Sequence, residues 1–595
     1  TANSVISIAL LGIGLGGLIG FVSAPKAPLE TMIASSLLLP FAILLAFGTC
    51  VMLVDEVSMV ASLLLMAPFV CCGTVITIAL VKIDSHVAYF VTLIGSGLGA
   101  LLVGTALTSF REESSLIFLA AFAFLASTFF IWPFPARRTR SWLRLLASFG
   151  TVSLFLLGSL NLEHDWLNVV RVKVLESYPE GEVLFSKSSF VGRYDIVLRN
   201  PNNSSLSAYE NGRVTDTIRA RPVEAYQIDP RIPRGLMEDP VILILGLSGD
   251  GVTKTSRALG KKGYGVEINP AVVDLQTNQL IERNGNSYQD IEVAILDARS
   301  YMEQSDLKYD MITLLNTHRA RGRTSGRSPS PEYLFTKEAL HEYLDHLNDR
   351  GLVDIEEPVS NPRREPPVWK LLMTMRQVLM ERGSPQPERH FFVFQWRTSS
   401  NNYIQILMKK TPFREAEVTQ LQQWLEDVEN IRQIEKMAGR RLGPIRATTT
   451  ILHIPGQEFS TNASRIVRGE VEEDFLQARN LQATTDDLPF HFEVDPARPE
   501  VKKAYGITLI MTLLVLALFS PFLVRKGSGL VKALPLVLAV ALTGLGYLLL
   551  EIVLIHRYEI FLGSPVTTFA SVLGTLLIFS GLGSLWSRRI EAKGV

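Results

Sequence analysis

Apolar residues run with few interruptions for about twenty positions, the length a bilayer core demands of a helix, at roughly 4–22, 31–54, 58–81, 87–109, 115–135 and 143–160. Three more such runs follow near the other end, at about 504–524, 533–555 and 566–586. A segment in hydrocarbon must satisfy its own backbone hydrogen bonds, so each run is expected to be a helix and the chain to span a membrane nine times. Small residues recur every fourth position as Gly12, Gly16 and Gly20, and again as Gly95 and Gly99, a spacing that lets helix backbones approach closely.

Between these blocks the period changes. Residues 161–240 carry short β-type runs such as Val183–Phe185 and Tyr194–Leu198, broken by turn chemistry at Asn200–Ser205 and Asn211–Gly212, which predicts a small β-rich domain. From 241 the chain alternates short apolar strands with helical stretches. The strands are Val241–Leu245, a run ending at Val266, 291–296 and Met311–Leu315, with helices near 252–261 and 270–283. That alternation predicts a parallel doubly wound sheet with ligands at the carboxyl ends of its strands. The expected divisions are a six-helix block over 1–160, the β-rich domain over 161–240 and a Rossmann-like domain over 241–410. An α/β extension and membrane return follow over 411–503, and a three-helix block over 504–595. Within the return, Asp486 and Asp487 before Pro489 predict a turn or a helix cap.

Composition sharpens this partition. The chain has 58 basic and 58 acidic residues, of which only 13 in all lie in 1–160 and only 10 in 504–595, so nearly all the charge is concentrated in the middle. A purely soluble globule is excluded. The formal net charge is zero and the middle segment carries 44 basic against 49 acidic residues, which argues against a nucleic-acid partner. All three cysteines, Cys50, Cys71 and Cys72, lie in apolar runs, so the middle domain has neither a disulfide framework nor a thiolate metal site, and no metal is expected. Counting Lys and Arg in loops and helix flanks places twelve on one side of the membrane and seven on the other. The positive-inside rule then assigns the middle domain to the sparser, non-cytoplasmic (periplasmic) side of the plasma, or inner, membrane.

The first turn of the predicted sheet reads Gly246-Leu247-Ser248-Gly249-Asp250-Gly251, where glycines let backbone approach a ligand at a helix N-terminus. Glu267 ends the second strand about 20 residues after Gly246, the separation at which an acid takes ribose hydroxyls, and Asp297 closes the third. Turn, Glu267 and Asp297 at successive strand ends suggest an adenosyl site. HExxH, GxSxG and Walker sequences are absent, so metalloprotease, serine-hydrolase and P-loop readings lack their minimal parts.

The segments VILILGLSGDG (241–251), GVEINPAVVD (265–274), LDARSYM (296–302), KYDMITLL (308–315), SPEYLFTKEAL (330–340) and RGLVDI (350–355) resemble, in order and spacing, the core of the spermidine synthases, the polyamine aminopropyltransferases. AYQ (225–227) resembles the tyrosine-containing segment those enzymes place before their glycine loop. TTDDLPF (484–490), LLLEIVLIHRYEIFLG (548–563) and FSGLGSL (579–585) resemble the closing segments of the family's multi-pass membrane branch. The resemblance implies a membrane protein carrying an inserted spermidine-synthase-like, class I methyltransferase-type domain preceded by a small β-domain. It further implies that S-adenosylmethionine or its decarboxylated form is held by Gly246, Gly249, Asp250, Gly251, Glu267 and Asp297, and that Tyr226 and Gln227 bind substrate.

Departures from the family pattern bear on chemistry. Leu247, Ser248 and Val252 stand where the family tends to have glycine. The family also ends its fourth strand with a carboxylate and places another three residues on, and here those positions are Leu315 and His318. Aminopropyl transfer needs a base to free the attacking amine and acids to hold a polycation. Leu315 can do neither, and His318, the one remaining base candidate, opens a stretch with Arg319, Arg321, Arg323 and Arg327. The expectation is a catalytically degenerate, membrane-anchored domain serving as a binding or assembly module, with the bilayer and other membrane subunits as partners. The alternative is an active aminopropyltransferase, or another S-adenosylmethionine-dependent transferase, at the membrane.

Overall fold

The structure is a computed structural model of the whole chain. It describes all residues except 1, 53–58, 133–137, 165, 169–177, 179, 201–205, 211–212, 220, 222, 234, 248–250, 260–261, 316–331, 360–364, 400, 444, 493–501, most of 503–526, 563–564 and 592–595. Contacts divide it into one unit of residues 1–177, 188–190 and 499–595 and another of 178–187 and 191–498.

In the first unit the apolar runs are helices: α1 (Ala2–Ser23), α2 (Pro28–Met52), α3 (Met59–Lys82), α4 (Ser85–Ser109), α5 (Glu112–Ile131) and α6 (Arg138–His164). Two more, Gly527–Leu562 and Pro565–Glu591, close the chain. Among the described residues six helical stretches are long and apolar enough to cross a membrane: Pro28–Thr49, Ser62–Lys82, Ser85–Ala106, Glu112–Ile131, Ser141–His164 and Val566–Arg588. Shorter apolar stretches, Ile8–Ser23 and Leu542–Ile555, lie in two further helices. Most of the expected span 504–524 lies outside the described residues.

Glycines set two of the helix contacts. A Cβ on Gly12 would meet Met66 and Phe69 at 2.7–2.9 Å, one on Gly20 would meet Thr74 and Thr77, and one on Gly16 would run into the Val70 carbonyl oxygen. The Thr74 hydroxyl donates to the Gly16 carbonyl at 3.1 Å, so α1 and α3 touch backbone to backbone as their small-residue spacing predicts. Among the described residues nothing lies within 4 Å of an added Cβ at Gly95 or Gly99, and on the same helix Gly97 makes the close contact, 2.9 Å from the Gly574 carbonyl oxygen to an added Cβ. Asp84 pairs with Arg588 at 3.1 Å, fastening the start of α4 to the end of the last helix.

The second unit holds two sheets. The smaller is an antiparallel sheet in the order β1 (Glu182–Ser188), β2 (Arg193–Leu198), β3 (Leu206–Glu210) and β4 (Arg213–Ile218). The larger has eight strands: β5 (Ile242–Leu245), β6 (Gly263–Glu267), β7 (Ile291–Ile295), β8 (Tyr309–Leu315), β9 (Leu347–Pro358), β10 (Phe391–Arg397), β11 (Asn402–Lys409) and β12 (Thr448–His453). Their spatial order is β7-β6-β5-β8-β9-β11-β10-β12. The neighbours from β7 to β9 are parallel, while β11 runs antiparallel to both β9 and β10, and β12 is antiparallel to β10.

The parallel strands are joined through α7 (Gly251–Ala258), α8 (Pro270–Asp274, continued by one wider turn), α9 (Ala298–Gln304) and α10 (Lys337–Asp345). After β9 come α11 (Glu365–Glu381), α12 (Glu415–Glu429), α13 (Ile431–Ala438) and α14 (Asn462–Arg468). Strands buried on both faces are continuous apolar runs, as Ile242–Leu245 illustrates, and helices cover the sheet on each side. The small sheet does not close a core of its own. Tyr194, Ile196, Leu206, Ala208 and Ile218 pack with Ala271, Val272, Leu275 and Leu280 of the α8 segment, and Lys187 pairs with Asp274 at 2.5 Å.

Candidate functional site

The chain steps outward from β5 to β6 to β7 and then crosses back to β8, so strand order reverses at β5, and ligands of open α/β sheets bind at the carboxyl ends of the strands at such a point. Gly246 follows β5 with φ +84, a left-handed conformation that glycine adopts without strain, and its N–H donates to the Val266 carbonyl at 2.8 Å. Leu247, one of the departures from a glycine run, points into the core. It is 1% exposed and packs over Gly265 of β6, where an added Cβ would lie 2.5 Å from its Cδ2. Gly251 opens α7, while Ser248, Gly249 and Asp250 lie outside the described residues.

The two acids at successive strand ends are brought together. Glu267 pairs in register with Ile295, and the Leu296 N–H donates to the Glu267 carbonyl, which leaves Asp297 beside it at the next strand end. The Glu267 carboxylate is 7% exposed and accepts the Asn269 N–H at 2.9 Å; Asn269 in turn caps α8. The Asp297 carboxylate caps α9, accepting the N–H groups of Arg299 at 2.9 Å and Ser300 at 3.2 Å. Both carboxylates therefore have fixed directions. Tyr194 of the small sheet lies next to Glu267; burial, with the charges of Asp216 and Glu267, raises its phenol well above the usual value, against a hydrogen bond with Gln276.

Tyr226 is 3% exposed in the short turn Val223–Tyr226, held by the Ile228 N–H, which donates to the Leu442 carbonyl at 2.6 Å. The Lys254 ammonium stands 5.6 Å from its ring centroid. Gln227 accepts from the Arg440 guanidinium at 3.2 Å. Leu315 ends β8 3% exposed, in one core with Leu247, Met311 and Leu352. His318 and the arginine stretch 316–331 lie outside the described residues.

Sequence reasoning missed a polar cluster on the next strand. Glu356 of β9 pairs in register with Leu315, and Asp354, Glu356 and Glu357 are all buried. The Gln405 amide donates to Asp354 at 2.7 Å and to the Arg231 carbonyl at 2.7 Å, and Arg231 pairs with Asp229 at 2.6 Å. Burial pushes the Asp354 carboxyl well above the usual carboxylate range, opposed by the Gln405 hydrogen bond and reinforced by Glu356. Acids at alternate positions of the run VDIEE were the available signal, since a strand alternates faces every residue.

Segment 484–492 holds the expected turn at Asp486 and Asp487, closed by the Leu488 N–H donating to the Thr485 carbonyl at 2.9 Å, and continues as a strap across the domain. Asp486 pairs with Arg299 at 3.1 Å while Glu342 binds the same guanidinium at 2.7 Å. The Lys370 ammonium donates to the Phe490 carbonyl, and buried His491 packs against Phe335 with ring centroids 4.9 Å apart and lies 3.9 Å from Glu357.

The sheet order and the glycine turn are those of a Rossmann-like fold and resemble the methyltransferase type. No family model matches the chain, and no curated protein does. Among solved structures, a probable spermidine synthase from Corynebacterium glutamicum is 13% identical, with 51% of this chain and 94% of that chain covered and a TM-score of 0.31. A spermidine synthase in complex with the transition-state analogue AdoDATO is 14% identical over 50% and 88%, with a TM-score of 0.30. Human methyltransferase-like protein 13 in complex with SAH is 17% identical over 35% and 85%, with a TM-score of 0.23.

Proposed function

We propose that the middle domain binds an adenosyl ligand but has lost aminopropyl transfer, and that it serves as a binding or assembly module of a complex in the inner membrane, on the non-cytoplasmic side. The observation that carries this reading is Leu315. An amine attacks a sulfonium carbon only when neutral, so a carboxylate must stand where β8 ends to take its proton, and an alkyl group buried in the core there can neither accept a proton nor hold a cation. Glu267 and Asp297, fixed side by side at the ends of β6 and β7, support the adenosyl part. The intact protein in nanodiscs, given decarboxylated S-adenosylmethionine and putrescine, is expected to form no spermidine above background by mass spectrometry. Turnover overturns the loss of transfer.

A second reading, a transferase with displaced acids, is favoured by Glu356, which is buried directly opposite Leu315 with Asp354 two residues before it. In that case Glu356→Gln abolishes the turnover that the same assay detects.

A further inference from the structure

Charge is not spread evenly over the net-acidic middle segment. Residues 431–446 hold Arg432, Lys436, Arg440, Arg441 and Arg446 against one acid, Glu435. The fold makes this stretch a fixed face. Ile431 of α13 is 1% exposed and shares a core with Trp424, Val428 and Leu442, and Ile434 packs against the same core. Gly439 ends the helix at φ +63, a left-handed turn that glycine takes without strain, so Arg440 and Arg441 follow beside its last turn. Glu435 binds Arg446 at 2.7 Å and accepts the Leu442 N–H at 3.3 Å, so its charge is taken and the turn is closed from within. Arg432, Lys436, Arg440 and Arg441 are all exposed and pair with no acid among the described residues; Arg440 donates to Gln227 at 3.2 Å. The acids that precede them on α12 are engaged elsewhere or point away: Glu429 accepts the Thr449 N–H at 2.6 Å, Asp427 accepts from Gln423 at 3.3 Å, and Glu426 makes no ion pair with any of the four.

Among these cations one apolar side chain is left in water. Met437 is 74% exposed on the outer side of α13, next to Lys436 and one turn after exposed Gln433. Cations around an outward apolar group are what an interfacial surface needs: the cations meet phosphates while the apolar group enters the boundary between headgroups and acyl chains. An acidic protein face would answer the cations but leave Met437 without a role. A bilayer is also within reach, because the same chain carries helices long and apolar enough to cross a membrane both before and after this domain, which holds lipid at high effective concentration. We infer that the face made by Arg432, Lys436, Met437, Arg440 and Arg441 docks on the anionic headgroups of a bilayer. Each basic side chain near such a surface strengthens attachment by roughly fivefold, so the four together reach the order of several hundredfold at low salt. The inference is independent of the adenosyl reading of the domain.

Fluorescence quenching on the intact chain in nanodiscs tests it. Cys50→Ala, Cys71→Ala and Cys72→Ala remove the native thiols, and Met437→Cys carries an apolar bimane label, with a nitroxide quencher on the lipid headgroups. In an equal mixture of phosphatidylglycerol and phosphatidylcholine, quenching is expected to be at least about threefold that in phosphatidylcholine alone. It should fall back in molar salt, where the Debye length is about 3 Å. Adding Arg432→Gln, Lys436→Gln, Arg440→Gln and Arg441→Gln, all at exposed positions, should abolish the lipid-charge dependence without lowering the melting temperature. Arg432→Lys, Arg440→Lys and Arg441→Lys together should retain it. Equal quenching in the two lipids overturns the inference, as does a lipid-charge dependence that survives in a fourfold Gln variant melting like its parent. The comparison of lipids and salts needs no charge variant, so it decides the matter even if that variant fails to fold. A label indifferent to lipid charge but shielded in the chain purified with companion subunits would assign the face to an acidic protein and overturn the inference equally.

Discussion

At the scale of single residues, burial decides which polar groups carry weight. Asp354 is fully buried, and its Oδ2 and the Gln405 Oε1 have no protein partner among the described residues. Its raised carboxyl means that the folded chain holds the Asp354 proton more tightly than the unfolded chain does. Stability therefore falls as pH rises from the ordinary carboxylate value of about 3.9 through the raised folded value. Asp354→Asn has the same shape, stays neutral and can still accept from Gln405. It is expected to match or exceed the native protein at pH 8, by up to about 2 kcal/mol, and to flatten the dependence between pH 5 and 8. Thermal melting of the solubilised chain across that range checks this, and a large loss at pH 8 would mean that an ionised Asp354 holds a partner. Glu267, Asp297 and Leu315 were legible in the sequence because strand ends can be counted from an apolar run. Asp354 and Glu356 were not, because nothing local says that an acid in a strand will be covered by Gln405 and Arg231 from distant segments.

At the scale of elements, contact faces are set by the partner as much as by spacing. Gly12, Gly16 and Gly20 line the seam of α1 with α3, whereas Gly95 and Gly99 face away from the seam that Gly97 makes with the last helix. Gly16→Leu is therefore expected to force the two backbones apart and to cost several kcal/mol, seen as a large drop in melting temperature or loss of folded yield in detergent. Gly99→Leu should leave both nearly unchanged; a comparable loss from Gly99→Leu would place a neighbour on that face. Arg299 belongs to this scale too. Its backbone N–H is capped by Asp297 while its guanidinium holds Asp486 and Glu342, so the first turn of α9 ties Asp297 to the strap that precedes the return to the apolar helices.

At the scale of the whole molecule, a charge-rich domain lies in sequence between two charge-poor helical blocks, and the loop charges propose where it stands. An alkaline phosphatase fused near residue 325 is expected to be active and a green fluorescent protein at the same site to be dark. The reverse pair of results would place the domain on the cytoplasmic side.

By itself the sequence determined the alternation of apolar helical blocks with an α/β middle, the glycine turn, the acids ending β6 and β7, and the alkyl side chain ending β8. Each of these is a matter of period or of position along a strand, and such information is local. Only the tertiary structure decided that the small sheet shares its core with α8, that Leu247 fills the space over Gly265, that a cation stands over Tyr226, and that 484–492 is a strap. Those features depend on which distant segments share a face. That choice is made by the packing of the whole domain, in which groups as far apart in the chain as Lys370 and Phe490 come within hydrogen-bonding distance.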